Sequence, residues 1–404
     1  MGEAWITGIG LVTALGGDRE TSWDRLVAGE SGIAEVSLFD TAGFRGHLAA
    51  QVTHEFEPPG SIGRAARHLS RSSRLALCAA AEALADAGLG SRSPQPHPWP
   101  VILSGGTAGL LEAEGFVARR LRKGHLARGL REFLEVPQDS TTDRVAQAFS
   151  LTGSRITVTT ACSSATIALG MAADLVSGGE TTLALAGGAD TLCRLTYAGF
   201  NSLRAMDTAR CKPFDRRRAG LTLGEGAAIL VVEAKTSAMA RGARPYARIL
   251  GYGATNDAFH MTQPEPSGRP WERTIRAALL SAGVRPEAIS YINAHGTATE
   301  QNDSAEAAAY GLVFGDNLAR IPVSSVKGAI GHCLNAAGGI EAAFTALAIA
   351  RGLVPPTVGF AEADPACPVD PVPFRGRPLR ITTAMSCSFA FGGNSAALIL
   401  ERVS

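Results

Sequence analysis

Short apolar runs that end in small residues alternate along this chain with longer amphipathic stretches. That alternation is the pattern of an α/β fold, in which each strand is covered by the helices that flank it in sequence. The apolar runs predict strands near residues 4–9, 100–104, 156–160, 182–187, 226–233, 247–253, 288–293, 321–325, 381–388 and 395–401. The intervening periodicity predicts helices over 20–28, 72–88, 142–149, 164–177, 270–283, 303–314 and 336–350. Ile156–Thr160 and Leu183–Gly187 are apolar or small on both faces, as strands buried on two sides should be. The 404 residues are too many for one small core, and the best internal boundary falls near Arg241–Pro245. Two α/β halves, 1–244 and 245–404, are therefore expected. The proline-rich segments 92–100 and 364–378 read as surface loops, not linkers. Glycine is frequent, at 46 residues, but without a fixed period, which excludes collagen and repeat architectures.

Charge narrows the partners. Lysine and arginine total 38 against 37 acidic residues, so no global field attracts nucleic acid or an anionic membrane. Segments 156–173 and 381–400 lack charge over the length of a membrane span, yet both are studded with Thr, Ser, Asn or paired Gly and suit no lipid-embedded helix. The N-terminus carries an acid where a secretion signal needs basic residues. The seven cysteines are odd in number, scattered and free of any C-x-x-C spacing, which argues against a disulfide framework or a zinc ribbon and for a reducing cytoplasm.

One cysteine stands apart. In Thr159–Gly170, Cys162 lies between an apolar strand and a helix opened by hydroxyl residues. The free N–H groups and positive dipole end of such a helix favour a thiolate and can face an oxyanion. Two histidines occupy comparable strand exits: His295 in Asn293–Thr299 and His332 in the glycine-rich Gly328–Gly339. Strand ends of an open α/β sheet converge on one edge, where such side chains can meet. Lys327, flanked by apolar and glycine residues, needs a carboxylate partner, and Glu341 is the candidate. Cys162, His295 and His332 are also zinc ligands by type, but no closely spaced pair exists and Lys327 opposes a bound cation, so no metal is expected.

These blocks carry a resemblance. Thr160–Ser164, Asn293–Thr299, Ser324–His332 and the C-terminal Ser388–Asn394 are similar to the signature motifs of the β-ketoacyl-[acyl carrier protein] synthases of the thiolase superfamily, nearest to the type II elongating enzymes. Trp5–Gly16, Cys211–Asp215 and Gly220–Gly226 resemble further blocks of that family, so the likeness runs from end to end. It implies a five-layer α-β-α-β-α thiolase-like fold of two similar halves and a decarboxylating condensation. Cys162 would take an acyl chain from a carrier thioester, with the N–H groups of Cys162 and Phe391 holding the oxyanion. Neutral His295 and His332 would then donate hydrogen bonds to the malonyl thioester oxygen as CO₂ leaves. By the same resemblance Lys327, paired with Glu341, orders His332, Thr297 and Thr299 bind the phosphopantetheine arm, and Phe391 gates the acyl pocket. No cofactor is implied beyond the arm that arrives on the carrier. The partners implied are an acyl carrier protein and either a second copy or a chain-length-factor-like paralogue. Ala390, where such enzymes commonly have Gly, and Glu300, where Pro is common, depart from the pattern, as does the basic stretch 118–128, and they leave polyketide or polyene synthesis open beside fatty-acid synthesis. The rival readings are a non-catalytic chain-length factor, which typically lacks the cysteine, and a CoA-dependent thiolase, which Lys327 and the paired histidine motifs oppose.

The carrier of a type II system is acidic. Arg64, Arg67, Arg71 and Arg74 recur at helical spacing with no acid between Ser61 and Arg74, and would form one basic face if the segment is helical. The resemblance places Arg64, Arg67 and His68 at the carrier docking surface, with residues 119–131 the next candidate.

Overall fold

The computed structural model describes residues 2–58, 68–90, 97–123 and 130–403. Ten strands form its main sheet: β1 Ala4–Val12, β2 Val101–Ser104, β3 Arg155–Val158, β4 Leu183–Asp190, β5 Gly226–Ala234, β6 Ala247–Asn256, β7 Tyr291–Asn293, β8 Val323–Ser324, β9 Thr383–Phe389 and β10 Asn394–Glu401. Their spatial order is β8-β7-β9-β10-β6-β1-β5-β4-β2-β3. Read outward from the centre, β1, β5, β4, β2 and β3 pair antiparallel, antiparallel, parallel and parallel. Strands β6, β10, β9, β7 and β8 repeat that sequence of pairings. The two five-strand sets are thus the same topology used twice, joined by a short antiparallel ladder in which Ala4, Trp5 and Ile6 face Ile249, Arg248 and Ala247.

Helices make the layers. Helix α1 (Arg71–Asp86) covers β1, β5 and β4 on one outer face, and α3 (Arg269–Ala282) with α4 (Glu300–Phe314) covers the other set. Between the two strand sets lie α2 (Ser164–Ser177) and α5 (Ala337–Arg351), each touching strands of both. The result is the five-layer α-β-α-β-α arrangement. Composition explains which helix goes where: α3 is amphipathic and buries Trp271, Ile275, Ala278 and Leu279, whereas every residue of α5 from Ala337 to Ile349 is buried. A helix apolar all round belongs in a core, and small residues let two such helices approach. At Gly338 a Cβ would collide with Thr166 of α2, and at Gly10 one would collide with the backbone of α1, so these contacts require glycine.

Most predicted strands and helices appear within a few residues of their expected ends. Helices Leu110–Lys123 and Arg194–Ser202 were not anticipated. Ser70 is an extended N-cap residue and α1 begins at Arg71, so Arg71 and Arg74 belong to α1 itself. Arg64 and Arg67 lie outside the described residues, as do 124–129 of the basic stretch and 91–96 of the proline-rich loop. Arg71 is committed to buried Glu225 and to the carbonyl of Val52, and Arg74 to the carbonyl of Phe56, while both guanidinium groups sit 5.0 Å from the Phe56 ring centre. These two arginines are structural, because the α1 start packs against β5 and the Phe56 loop. His68 is exposed. No helix among the described residues is long and apolar enough to cross a membrane.

Candidate active site

The nucleophile turn follows β3. Residues Ala161–Ser163 make one 3₁₀ turn that runs into α2, so Cys162 sits at the helix N-terminus. Ala161 is held at a φ of 53°, a left-handed conformation that non-glycine residues seldom adopt. Ser164 stabilises the turn: its hydroxyl accepts from the Thr160 N–H at 2.8 Å and donates to the Ala161 carbonyl at 2.6 Å. Burial pushes the Cys162 thiol up to about 12, while the Lys327 charge and the backbone N–H groups of Phe391 and Cys162 pull toward the thiolate.

The C-terminal strand set supplies the imidazoles. His295 follows β7 and His332 follows β8, and their rings meet edge to face with centroids 5.2 Å apart. His332 Nε2 lies 3.1 Å from Cys162 Sγ. The Leu334 N–H donates to His332 Nδ1 at 3.2 Å, so in the neutral ring the proton resides on Nε2 and points at the sulfur. Lys327 Nζ sits 3.2 Å from His295 Nδ1 and donates to the His295 carbonyl at 2.5 Å, which by the same logic leaves His295 a donor through Nε2. Burial, reinforced by the Lys327 charge, holds both imidazoles well below their usual pKa, hence neutral. Lys327 is paired with buried Glu341, as anticipated. Its direct contact is His295, however, and not His332, because the Leu334 N–H already occupies the ring nitrogen of His332 that faces away from the sulfur.

Two cavities meet at Cys162. A cleft of about 400 Å³ is lined by Cys162, both histidines, Thr297 and Thr299, with Phe389 and Phe391 on its wall. A second cavity of about 360 Å³ runs past Gly106, Thr107, Leu110 and Asn335 on the other side of the sulfur. Phe391 and Phe200 border both, stacked with centroids 5.7 Å apart, so the expected gating residue stands between the two spaces. Thr297 and Thr299 hydroxyls lie 3.0 Å from each other in the cleft. Ala390 is extended, at φ −107°, and its Cβ costs nothing in this conformation.

Several supporting groups escaped sequence reasoning. Glu306 accepts from the N–H groups of His295 and Gly296 at 2.7 and 2.8 Å and fixes the histidine turn; burial pushes its carboxyl up to about 7. Asp190 accepts from the Thr107 and Asn335 N–H groups, tying together two walls of the second cavity. Arg204 is exposed where the cleft opens. Only tertiary contact relates these residues to the motifs, although Asn335 falls inside one of the quoted blocks.

Cys162, His295 and His332 present their ligand-type atoms within 4.8 Å of one another. The donor set does not suit a metal: each outward ring nitrogen accepts a hydrogen bond, whereas a ligating imidazole needs its second nitrogen to donate.

A duplicated five-strand topology around a paired helix core, with a cysteine from one half facing histidines from the other, defines a thiolase-fold protein. Residues 3–238 match the N-terminal domain and residues 246–361 the C-terminal domain of the β-ketoacyl synthases, and the chain belongs to that family. It is 36% identical to the 3-oxoacyl-[acyl-carrier-protein] synthase 2 of Staphylococcus aureus, over 98% of this chain and 97% of that protein. Among solved structures it is similar to the ishigamide ketosynthase/chain length factor, with a TM-score of 0.92, 34% identity and full coverage of both chains. It is also similar to a ketosynthase, bound to a hexaketide, in complex with its type II polyketide synthase acyl-carrier protein, at a TM-score of 0.91 and 28% identity, again over 100% of each chain.

Proposed function

We propose that this protein condenses an acyl group held on Cys162 with malonyl-[acyl carrier protein], releasing CO₂ and 3-oxoacyl-[acyl carrier protein]. The observation that carries the reading is the pair of neutral imidazoles, both protonated on Nε2, beside a cysteine at a helix N-terminus. In the first half-reaction Cys162 attacks the acyl thioester carbonyl as its thiolate, the N–H groups of Cys162 and Phe391 stabilise the oxyanion, the carbon–sulfur bond to the carrier breaks, and the departing carrier thiolate takes up the proton that Cys162 released. His332 Nε2–H stabilises the thiolate form of the nucleophile. In the second, malonyl thioester enters the cleft, its carbon–carbon bond to the carboxylate breaks, and the electron pair forms an enolate whose oxygen accepts from His295 and His332. The carbanion carbon attacks the acyl-Cys162 carbonyl and the sulfur leaves as thiolate. Neither step consumes a redox equivalent, and no cofactor is invoked beyond the carrier's phosphopantetheine arm.

On this reading the halves 1–244 and 245–404 divide the labour, the first supplying the nucleophile and the second His295, Lys327, His332 and Phe391. Glu341 and Glu306 position these groups, Thr297 and Thr299 receive the arm, and Phe391 gates the acyl cavity. The carrier docks through Arg64, Arg67 and His68, and Arg204, exposed on the lining of the cleft, is a further basic contact for it. The relatives' complexes support an acyl carrier protein and a chain length factor as partners, with a second copy of this chain the alternative to the latter. Seven free cysteines suit a reducing cytoplasm. The presence of Cys162 speaks against a purely non-catalytic partner subunit.

The test is reconstitution with acyl-loaded and malonyl-loaded carrier protein, followed by mass spectrometry of the carrier. A carrier-bound 3-oxoacyl product supports the assignment; condensation only of CoA thioesters, without loss of CO₂ from malonate, overturns it in favour of a thiolase.

A further inference from the structure

One wall of the cleft carries a donor that the condensation chemistry does not use. Trp271 lies in the first turn of α3 and is only 5% exposed, yet it borders the cleft that holds Cys162, Thr297 and Thr299. Its ring stacks face to face on Phe389, with centroids 4.2 Å apart and planes 6° from parallel. Phe389 in turn presents its face or edge to His295 at 6.2 Å and 75°. Trp271 is therefore one aromatic layer further along the cleft from the imidazole.

The indole N–H is the telling atom. It has no acceptor among the described residues and is not sealed from solvent, and the ring that carries it borders the cleft. Indole N–H is a donor only, and a nearly buried donor loses hydrogen-bond energy unless something in the cleft accepts. A rigid aromatic with a single polar handle is well suited to grip a flexible ligand at low entropic cost.

We propose that Trp271 is a binding residue for the carrier's arm, its N–H donating to the amide carbonyl of the phosphopantetheine that is farther from the sulfur, while Phe389 fixes the indole plane. This rests on the carrier-dependent reading above and adds a residue to it. The position away from His295 favours the distal amide over the reacting thioester. Thr297 and Thr299 remain the hydroxyl partners on the same cleft.

The experiment compares Trp271→Phe with wild type on two malonyl thioesters: malonyl-pantetheine, which has both amides, and malonyl-N-acetylcysteamine, which lacks the distal one. Phe keeps the stack on Phe389 and removes the donor. KM for malonyl-pantetheine rises about three- to tenfold with kcat unchanged, the range expected for one hydrogen bond, while the N-acetylcysteamine substrate behaves as in wild type. Equal losses on both substrates, or no change on the first, overturn the proposal and leave Trp271 a packing residue. Calorimetric titration with pantetheine itself reads the same contact without turnover. If wild type makes no 3-oxoacyl product yet Trp271→Phe still weakens pantetheine binding, the condensation reading falls and this assignment stands; unaltered binding overturns the assignment alone.

Discussion

The two five-strand sets have the same order and the same parallel and antiparallel pairings, yet their strand exits carry different chemistry. The edge strand β3 leads to Cys162 and then α2; its topological counterpart β8 leads to Lys327, His332 and then α5. Strand β2 leads into Gly105, Gly106 and Thr107, which open the second cavity, whereas its counterpart β7 leads to His295. Strand β4 ends at Asp190, which braces that cavity, and β9 ends beside Phe391, which closes it. One topology thus supplies a nucleophile and a space on one side, and proton donors and a gate on the other. Equivalent backbone positions converge because both strand sets pack on the shared α2–α5 layer; what each position does is left to its side chain.

The division of labour is open to a graded series of tests. The largest effect is expected from Cys162→Ala, which should abolish the single acyl adduct seen by intact-mass analysis and lower condensation by about a thousandfold or more. An adduct that persists in this variant would move the nucleophile elsewhere. Next, His295→Ala should still accept an acyl group while CO₂ release from malonyl carrier protein drops by about a hundredfold or more, the scale of losing one oxyanion donor. His332→Ala should slow acylation as well, since of the two histidines it is His332 that lies within hydrogen-bond distance of Cys162 sulfur; equal phenotypes for the two histidines would erase the distinction between them.

Lys327→Met leaves Glu341 buried without its cation, and urea unfolding should show a loss of about 3–5 kcal/mol. Adding Glu341→Gln should recover part of that loss, and no recovery would mean that the lysine acts mainly through His295. The histidines also set a pH dependence. Their native pKa values lie well below 6.5 because of burial, so below that pH the unfolded chain binds more protons than the native one. Stability should therefore be fully expressed above pH 6.5 and decline as the pH falls, with a shallower slope in His332→Gln than in wild type. Parallel slopes for the two proteins would contradict a neutral buried His332. The smallest effect concerns docking: charge reversal at Arg64 and Arg67 should raise KM for carrier-bound malonate about severalfold in a salt-sensitive way, leaving pantetheine thioesters unaffected. Equal effects on both substrate types would assign carrier docking to another surface, with the opening near Arg204 the next to test.

Much of this protein was readable before its fold. Strand periodicity, the hydroxyl-rich turn around Cys162 and the glycine-flanked histidines are local signals, set by neighbours in sequence, and the backbone follows them. The pairing of Lys327 with Glu341 was legible because a charge amid apolar residues requires a partner, and few carboxylates lie near it in the chain. The arginine spacing at 64–74 did not reveal that Arg71 and Arg74 are taken up inside the fold, because periodicity is silent about where a helix starts, and Ser70 caps α1 just before Arg71.

Tertiary structure decided the rest. That Lys327 reaches His295, that Leu334 N–H sets the proton of His332, that Glu306 pins the histidine turn and that Trp271 borders the cleft all depend on which surfaces the five layers bring together. The sequence by itself determined the residue types, the strand exits and the family to which they belong. Contact between Cys162 and His332, 170 residues apart in the chain, arises only when two separately paired strand sets close on one helix layer. Hydrogen-bond direction, burial and the resulting charge state of each imidazole exist only in that packed arrangement, because they depend on neighbours that the linear order does not specify.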